Sequence, residues 1–203
     1  MQVVLPDATA VARLTFDGLQ IQNDDEYFAF CVANPDLHIE RTAKGEVVIM
    51  APVGSESSYR SSEVVGELRS WAKRDKRGTA FDSSGEFILP TGAALCPDAS
   101  WVSNARLATL TKAELKKFPR LSPEFIIEVM SPSDRLKAAK EKMTQWIAGG
   151  VDLGWLIDGD RETVYVYRAG QAEPEKFQGI RKLAGEGPVE GFVLDLTEIW
   201  EGL

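Results

Sequence analysis

The chain has 203 residues, of which 44% are hydrophobic and 27% charged, and its formal net charge at pH 7 is -8. That balance suits a soluble globular domain and excludes a low-complexity or fibrous chain. No apolar run reaches the roughly 18 residues of a membrane span, so no membrane partner is expected.

The length predicts a single domain over residues 1–203. The N-terminus MQVVLPDATA has neither a basic start nor a long apolar stretch, so no secretory leader is read there. Cys31 and Cys96 lack metal-binding spacing and read as reduced thiols of a cytoplasmic protein. The acidity sits at the two ends. Residues 1–50 hold 3 basic and 8 acidic side chains, and residues 152–203 hold 5 and 11. The middle, residues 51–151, holds 15 and 12, with basic runs at 69–77 and 106–120 that suit a phosphate backbone or simply a solvated face.

Asn23-Asp24-Asp25-Glu26 has the pattern of a helix N-cap followed three residues later by a reciprocating acid. The helix it predicts runs to Asn34, where Pro35 stops it. Residues 37–41 and 47–50 read as strands joined at Lys44-Gly45. His38, the single histidine, falls on the outward side of the first of these strands and reads as a surface residue.

A helix is predicted over 57–76, with Val64, Val65, Leu68, Trp71 and Ala72 as its apolar stripe and Gly78 as its stop. Glu56, Glu63 and Glu67 share one flank of it, away from the stripe. They read as a solvated edge, or as the source of one ligand to a metal above the sheet. Short strands follow at 79–83 and 86–89, then a strand at 98–102 that starts on Asp98, with Asp98, Ser100 and Val102 on one face. Residues 103–123 form a basic connector with a short helix expected at 111–117.

Phe125-Ile126-Ile127-Glu128-Val129-Met130 is a strand covered on both faces, interrupted by one acid. A carboxylate there needs a cationic partner, hydrogen bonds or a metal. Ser131-Pro132-Ser133-Asp134 carries helix-start signals, and a helix is expected from there to Ala148. Leu136, Ala139, Met143, Trp146 and Ile147 form its stripe. Lys142 lies at one edge of that stripe, where its stem can follow apolar surface while the ammonium reaches back toward the preceding strand, and Lys140 lies at the other edge; either also reads as a solvated lysine. A hairpin of strands at 153–158 and 163–168 comes next. No Walker A loop, GxGxxG, zinc-ligand spacing or GxSxG motif occurs.

The stretches FDSSGEFILPTGAALCPDASWV, SPEFIIEVMSPSD and EKMTQWIAGGVDLGWLID, in that order, resemble the restriction-endonuclease-like PD-(D/E)xK superfamily. Within it they are most similar to the Uma-two family of endonuclease-like proteins, over about residues 45–168. The resemblance implies an α/β fold with a central mixed β-sheet flanked by α-helices, preceded by an N-terminal helix and hairpin. It implies Asp98 and Glu128 as metal-binding acids, and Lys142 as the catalytic lysine, moved onto the helix because Met130 stands where the pattern places it. It further implies Glu63, or Glu56, as an additional metal ligand from the first long helix. The expected activity is hydrolysis of DNA phosphodiester bonds with Mg²⁺ or Mn²⁺, by a possible homodimer.

That chemistry is coherent on its own terms. Mg²⁺ prefers oxygen ligands and takes only one or two carboxylates, keeping several waters. Asp98 and Glu128 form that minimal set, and Lys142 stabilises developing negative charge. The alternative reading is a catalytically silent nucleic-acid-binding or assembly module on the same fold, favoured by Met130 and the net charge of -8. An acid–base network with a purely structural role is a third reading.

Overall fold

The computed structural model describes residues 12–15, 21–50 and 52–203, so the leader reading of the N-terminus lies outside the described residues. In chain order the elements begin with β1 (Ala12–Thr15), α1 (Asp24–Val32), β2 (His38–Arg41), β3 (Glu46–Met50), α2 (Ser55–Asp75) and β4 (Gly78–Asp82). There follow β5 (Phe87–Ile88), β6 (Ala94–Leu95), β7 (Ala99–Ser103), α3 (Asn104–Leu107), β8 (Phe125–Val129) and α4 (Leu136–Ala148). The chain continues through β9 (Leu153–Asp158), β10 (Thr163–Arg168), β11 (Glu175–Gln178), β12 (Lys182–Ala184), β13 (Val193–Asp195) and α5 (Thr197–Glu201).

The principal sheet has six strands in the order β11-β10-β9-β8-β7-β4. Only β8 and β9 pair in parallel, and every other neighbour is antiparallel, so the sheet is mixed as expected. Parallel neighbours require a crossover, and α4 supplies it. Strand β8 buries both faces. Phe125, Ile127 and Val129 pack with Val64, Leu68 and Trp71 of α2, whereas Ile126 and Met130 pack with Met143 and Trp146 of α4. Glu128 shares the α4 side with Ile126 and Met130, because alternate residues of a strand share a face.

A second, five-stranded sheet has the order β1-β3-β2-β6-β5 and is antiparallel throughout. Its core of Ile39, Val47, Ile49, Ile88 and Ala94 is closed by Tyr27 of α1. Asn23 caps α1 as the sequence predicts, its side chain accepting from the Glu26 N–H at 2.9 Å. The chain passes from this sheet to the principal one through Cys96-Pro97-Asp98, between β6 and β7.

Two helix ends differ from expectation. Lys76, in the left-handed conformation at φ 64°, ends α2, and Gly78 instead opens β4. Glycine is required there because a Cβ would meet the Val102 carbonyl oxygen at 2.4 Å and the Trp101 ring at 2.5 Å. At the other site, Ser131–Asp134 closes on itself as a turn. Asp134 accepts from the Ser131 N–H at 2.7 Å and from its hydroxyl at 2.9 Å, and α4 starts only at Leu136. Between β7 and β8 the connector holds α3 and a single 3₁₀ turn at Glu114–Lys116 in place of the expected helix at 111–117. Among the described residues no helix is long and apolar enough to cross a membrane.

Candidate active site

The site lies where the two sheets meet. The register Ala99↔Ile127 puts Asp98, just ahead of β7, opposite Glu128 of β8. Both oxygens of Asp98 are engaged: Oδ2 accepts from the Val129 N–H at 2.7 Å, and Oδ1 accepts from the Ser61 hydroxyl of α2 at 3.2 Å. Glu128 accepts from the Trp146 indole N–H at 2.8 Å through Oε1. Lys142 Nζ lies 2.9 Å from Glu128 Oε1 and 3.1 Å from Oε2. Trp146 and Lys142 lie four residues apart on α4, so one helix face delivers both groups to one carboxylate. Asp98, Glu128 and Lys142, singled out from the sequence, are thus brought together.

Lys142 also reaches beyond its own sheet. Its Nζ lies 2.8 Å from Glu40 Oε1 of β2 and donates to the Cys96 carbonyl oxygen at 3.0 Å. The same Glu40 oxygen accepts from the Cys96 N–H at 2.9 Å. Sequence reading missed Glu40. Its phase on β2 gave no signal, because it lies two residues from His38, which read as a surface residue, and so on the same face. His38 itself is exposed. Behind Glu40 lies another buried acid, Glu86, which accepts from the Tyr27 hydroxyl at 2.6 Å.

Burial dominates the electrostatics. It raises Glu128 to about 8; Lys142 opposes the shift, and the charges of Asp98 and Glu40 add to it. Burial also raises Asp98, against the Val129 N–H, Lys142 and Ser61. For Lys142 burial favours the neutral amine, but the Glu128 and Glu40 carboxylates outweigh it and hold the ammonium charged well above its ordinary range.

Glu63 is not brought to this cluster. It lies about 200° round α2 from Ser61, the residue that reaches Asp98. Its charge acts instead on Tyr59 and Glu67. Glu56 is held by Arg60 at 2.7 Å. Among the described residues no three acids, histidines or cysteines are grouped to hold a metal ion. The two acids that are brought together, Asp98 and Glu128, offer hard carboxylate oxygens, the donor type that Mg²⁺ or Mn²⁺ prefers.

A family model described as "Putative restriction endonuclease", Uma2, matches residues 24–197. The chain belongs to the Uma2 family. The match takes in the principal sheet, the second sheet except β1, and every residue of the cluster around Lys142. The fold is similar to that of a crystal structure from Anabaena variabilis ATCC 29413, titled a putative nuclease belonging to DUF820. The TM-score is 0.70 at 21% sequence identity, covering 93% of this chain and 98% of that one. No curated protein matches the chain. Membership of Uma2 places the Asp98–Glu128–Lys142 cluster in a restriction-endonuclease-like, nuclease-type fold.

Proposed function

We propose that this Uma2 protein is a divalent-cation-dependent endonuclease that hydrolyses phosphodiester bonds of DNA. One observation carries the reading: two partly buried acids, Asp98 just ahead of β7 and Glu128 on the neighbouring β8, share their end of the sheet with a lysine whose Nζ is 2.9 Å from one of them. Asp98 and Glu128 would hold Mg²⁺ or Mn²⁺, which supplies Lewis acidity toward the phosphate. Asp98 is aimed by the Val129 N–H and Ser61, and Glu128 by the Trp146 indole, so neither carboxylate must be ordered when a cation arrives. Lys142 offers a fixed positive charge to the negative charge that develops on the phosphoryl oxygens. Its place on α4 takes over from the strand position held by Met130, which is buried and apolar.

A homodimer with C2 symmetry would set one such site against each strand of a duplex. Light scattering tests that assembly, and a monomer at every concentration removes it. The activity is tested by incubating supercoiled plasmid with the protein and millimolar Mg²⁺ or Mn²⁺. Nicking or linearisation is expected, lost with chelator and in Asp98→Asn, Glu128→Gln and Lys142→Met. The burial of Met130 favours one second reading, a module that retains DNA binding without cleavage. It predicts a gel shift and intact plasmid under the same conditions.

A further inference from the structure

The ammonium of Lys142 has three N–H donors, and the structure gives it three acceptors. They are Glu40 Oε1 at 2.8 Å, the Cys96 carbonyl at 3.0 Å and the Glu128 carboxylate at 2.9 Å. No N–H is left over for a water or a phosphate. Both Glu128 oxygens lie against Lys142, and Oε1 also accepts from Trp146. Any cation that draws on Glu128 therefore competes with Lys142 for the same oxygens. If the ammonium were held by Glu128 alone, it would be displaced when the site filled.

Glu40 removes that difficulty. It comes from the other sheet, its side chain is 7% exposed, and its Oε1 is fixed by the Cys96 N–H at 2.9 Å. It belongs to no group of three or more metal-holding side chains among the described residues. We propose that Glu40 is the positioning residue for Lys142. With the Cys96 carbonyl it keeps the ammonium in the site when Glu128 turns to a cation, and the N–H released by Glu128 becomes free for the reacting phosphate or water. On this view the hairpin of β2 and β3 is part of the catalytic unit. This rests on the nuclease reading for its consequence, but not for its geometry.

Two measurements on the full chain separate the claims. Glu40→Gln keeps the shape and removes the charge. Plasmid cleavage in Mn²⁺ should fall by roughly ten- to a hundred-fold, while the half-saturating Mn²⁺ concentration stays unchanged, because positioning is lost and the cation ligands are not. Cleavage at the wild-type rate overturns the proposal, as does a loss explained wholly by weaker Mn²⁺ binding. The second measurement needs no activity. ¹⁵N NMR of the Lys142 ammonium reads how fast its protons exchange with water. Exchange should be slow in wild type, markedly faster in Glu40→Gln, and still slow in Glu128→Gln. Unchanged exchange in Glu40→Gln overturns the proposal. If Glu40→Gln fails to fold, Glu40→Asp, one methylene shorter, is put through both measurements with the same expected directions. A wild-type protein that cleaves nothing defeats the nuclease reading, and the NMR comparison still decides whether Glu40 holds Lys142.

Discussion

The Trp146 indole N–H donates to Glu128 Oε1 at 2.8 Å, while the ring of the same residue is fully buried between α4 and the sheet. One side chain therefore serves both the core and the site. The two roles separate by substitution. Trp146→Ala leaves a large void and should cost roughly 3–5 kcal/mol. Trp146→Phe keeps most of the apolar surface and loses the bond to a carboxylate, at roughly 1.5–3 kcal/mol. Urea titrations of both variants check the order. Equal losses would mean that the buried ring contributes nothing beyond its hydrogen bond, and a Trp146→Phe variant as stable as wild type would mean that the bond contributes nothing.

Gly78 and Gly154 make a second pair. A Cβ on Gly78 would run into the Val102 carbonyl at 2.4 Å and the Trp101 ring at 2.5 Å, neither of which can retreat without moving β7. At Gly154 the nearest atom is the Met143 methyl at 2.6 Å, the tip of a flexible chain. Gly78→Ala should therefore destabilise by about 3 kcal/mol or more, and Gly154→Ala by about 1 kcal/mol. Thermal melts of the two variants give the comparison directly.

These elements also show what was legible in the sequence. Glu128 stood out because it interrupts an apolar strand; helix phase put Lys140 and Lys142 at the two edges of the Met143 and Trp146 stripe, and the family resemblance chose Lys142. The hairpin of β9 and β10 followed from alternation and turn residues alone. Glu40 did not stand out. An acid on a short strand looks solvated until one knows that the Cys96–Asp98 crossing folds that strand over α4, which is a long-range fact. Gly78 looked like a helix stop for the same reason: local signals cannot show that Trp101 lies against it. Ser131–Asp134 misled differently. Its capping groups satisfy each other within the turn, so the helix begins one turn later.

Glu86 yields a pH prediction that needs no cation. Burial raises its carboxyl to about 8; the Tyr27 hydroxyl opposes that, and the charge of Glu40 adds to it. Between its ordinary range near 4.5 and about 8, the folded protein binds a proton that the unfolded chain has released. Stability from this group is therefore fully present below the ordinary value and is lost as pH rises through the folded value. The loss is on the order of a few kcal/mol. Glu86→Gln keeps an acceptor for Tyr27 and cannot ionise, so its stability should vary less between pH 5 and pH 8. Denaturant midpoints across that range decide, and parallel curves for variant and wild type would mean that Glu86 ionises normally.

Cation binding should show the same linkage from the other side. A cation requires ionised carboxylates, and burial together with Asp98 raises Glu128 to about 8. Protons and the cation thus compete for Glu128 below that value. Only the folded chain assembles Asp98 beside Glu128, so Mg²⁺ or Mn²⁺ should raise the melting temperature. A concentration of ten times the dissociation constant gives about 1.4 kcal/mol, or about 3–6 °C for a domain of this size. The gain should grow from pH 6 to pH 8 as Glu128 yields its proton more readily. Asp98→Asn should abolish it while costing the cation-free protein little, because the substitution removes one of two neighbouring negative charges. Glu128→Gln should abolish it too, but at a cost to the cation-free protein, since it takes one carboxylate from the Lys142 ammonium. A structural ion pair alone predicts otherwise: Glu128→Gln costs roughly 3–5 kcal/mol, and the wild type gains nothing from either cation. Melts of the three proteins at several pH values, with and without Mn²⁺, distinguish the two. A wild-type melting temperature indifferent to Mg²⁺ and Mn²⁺ at pH 8 would remove the Asp98–Glu128 cation site.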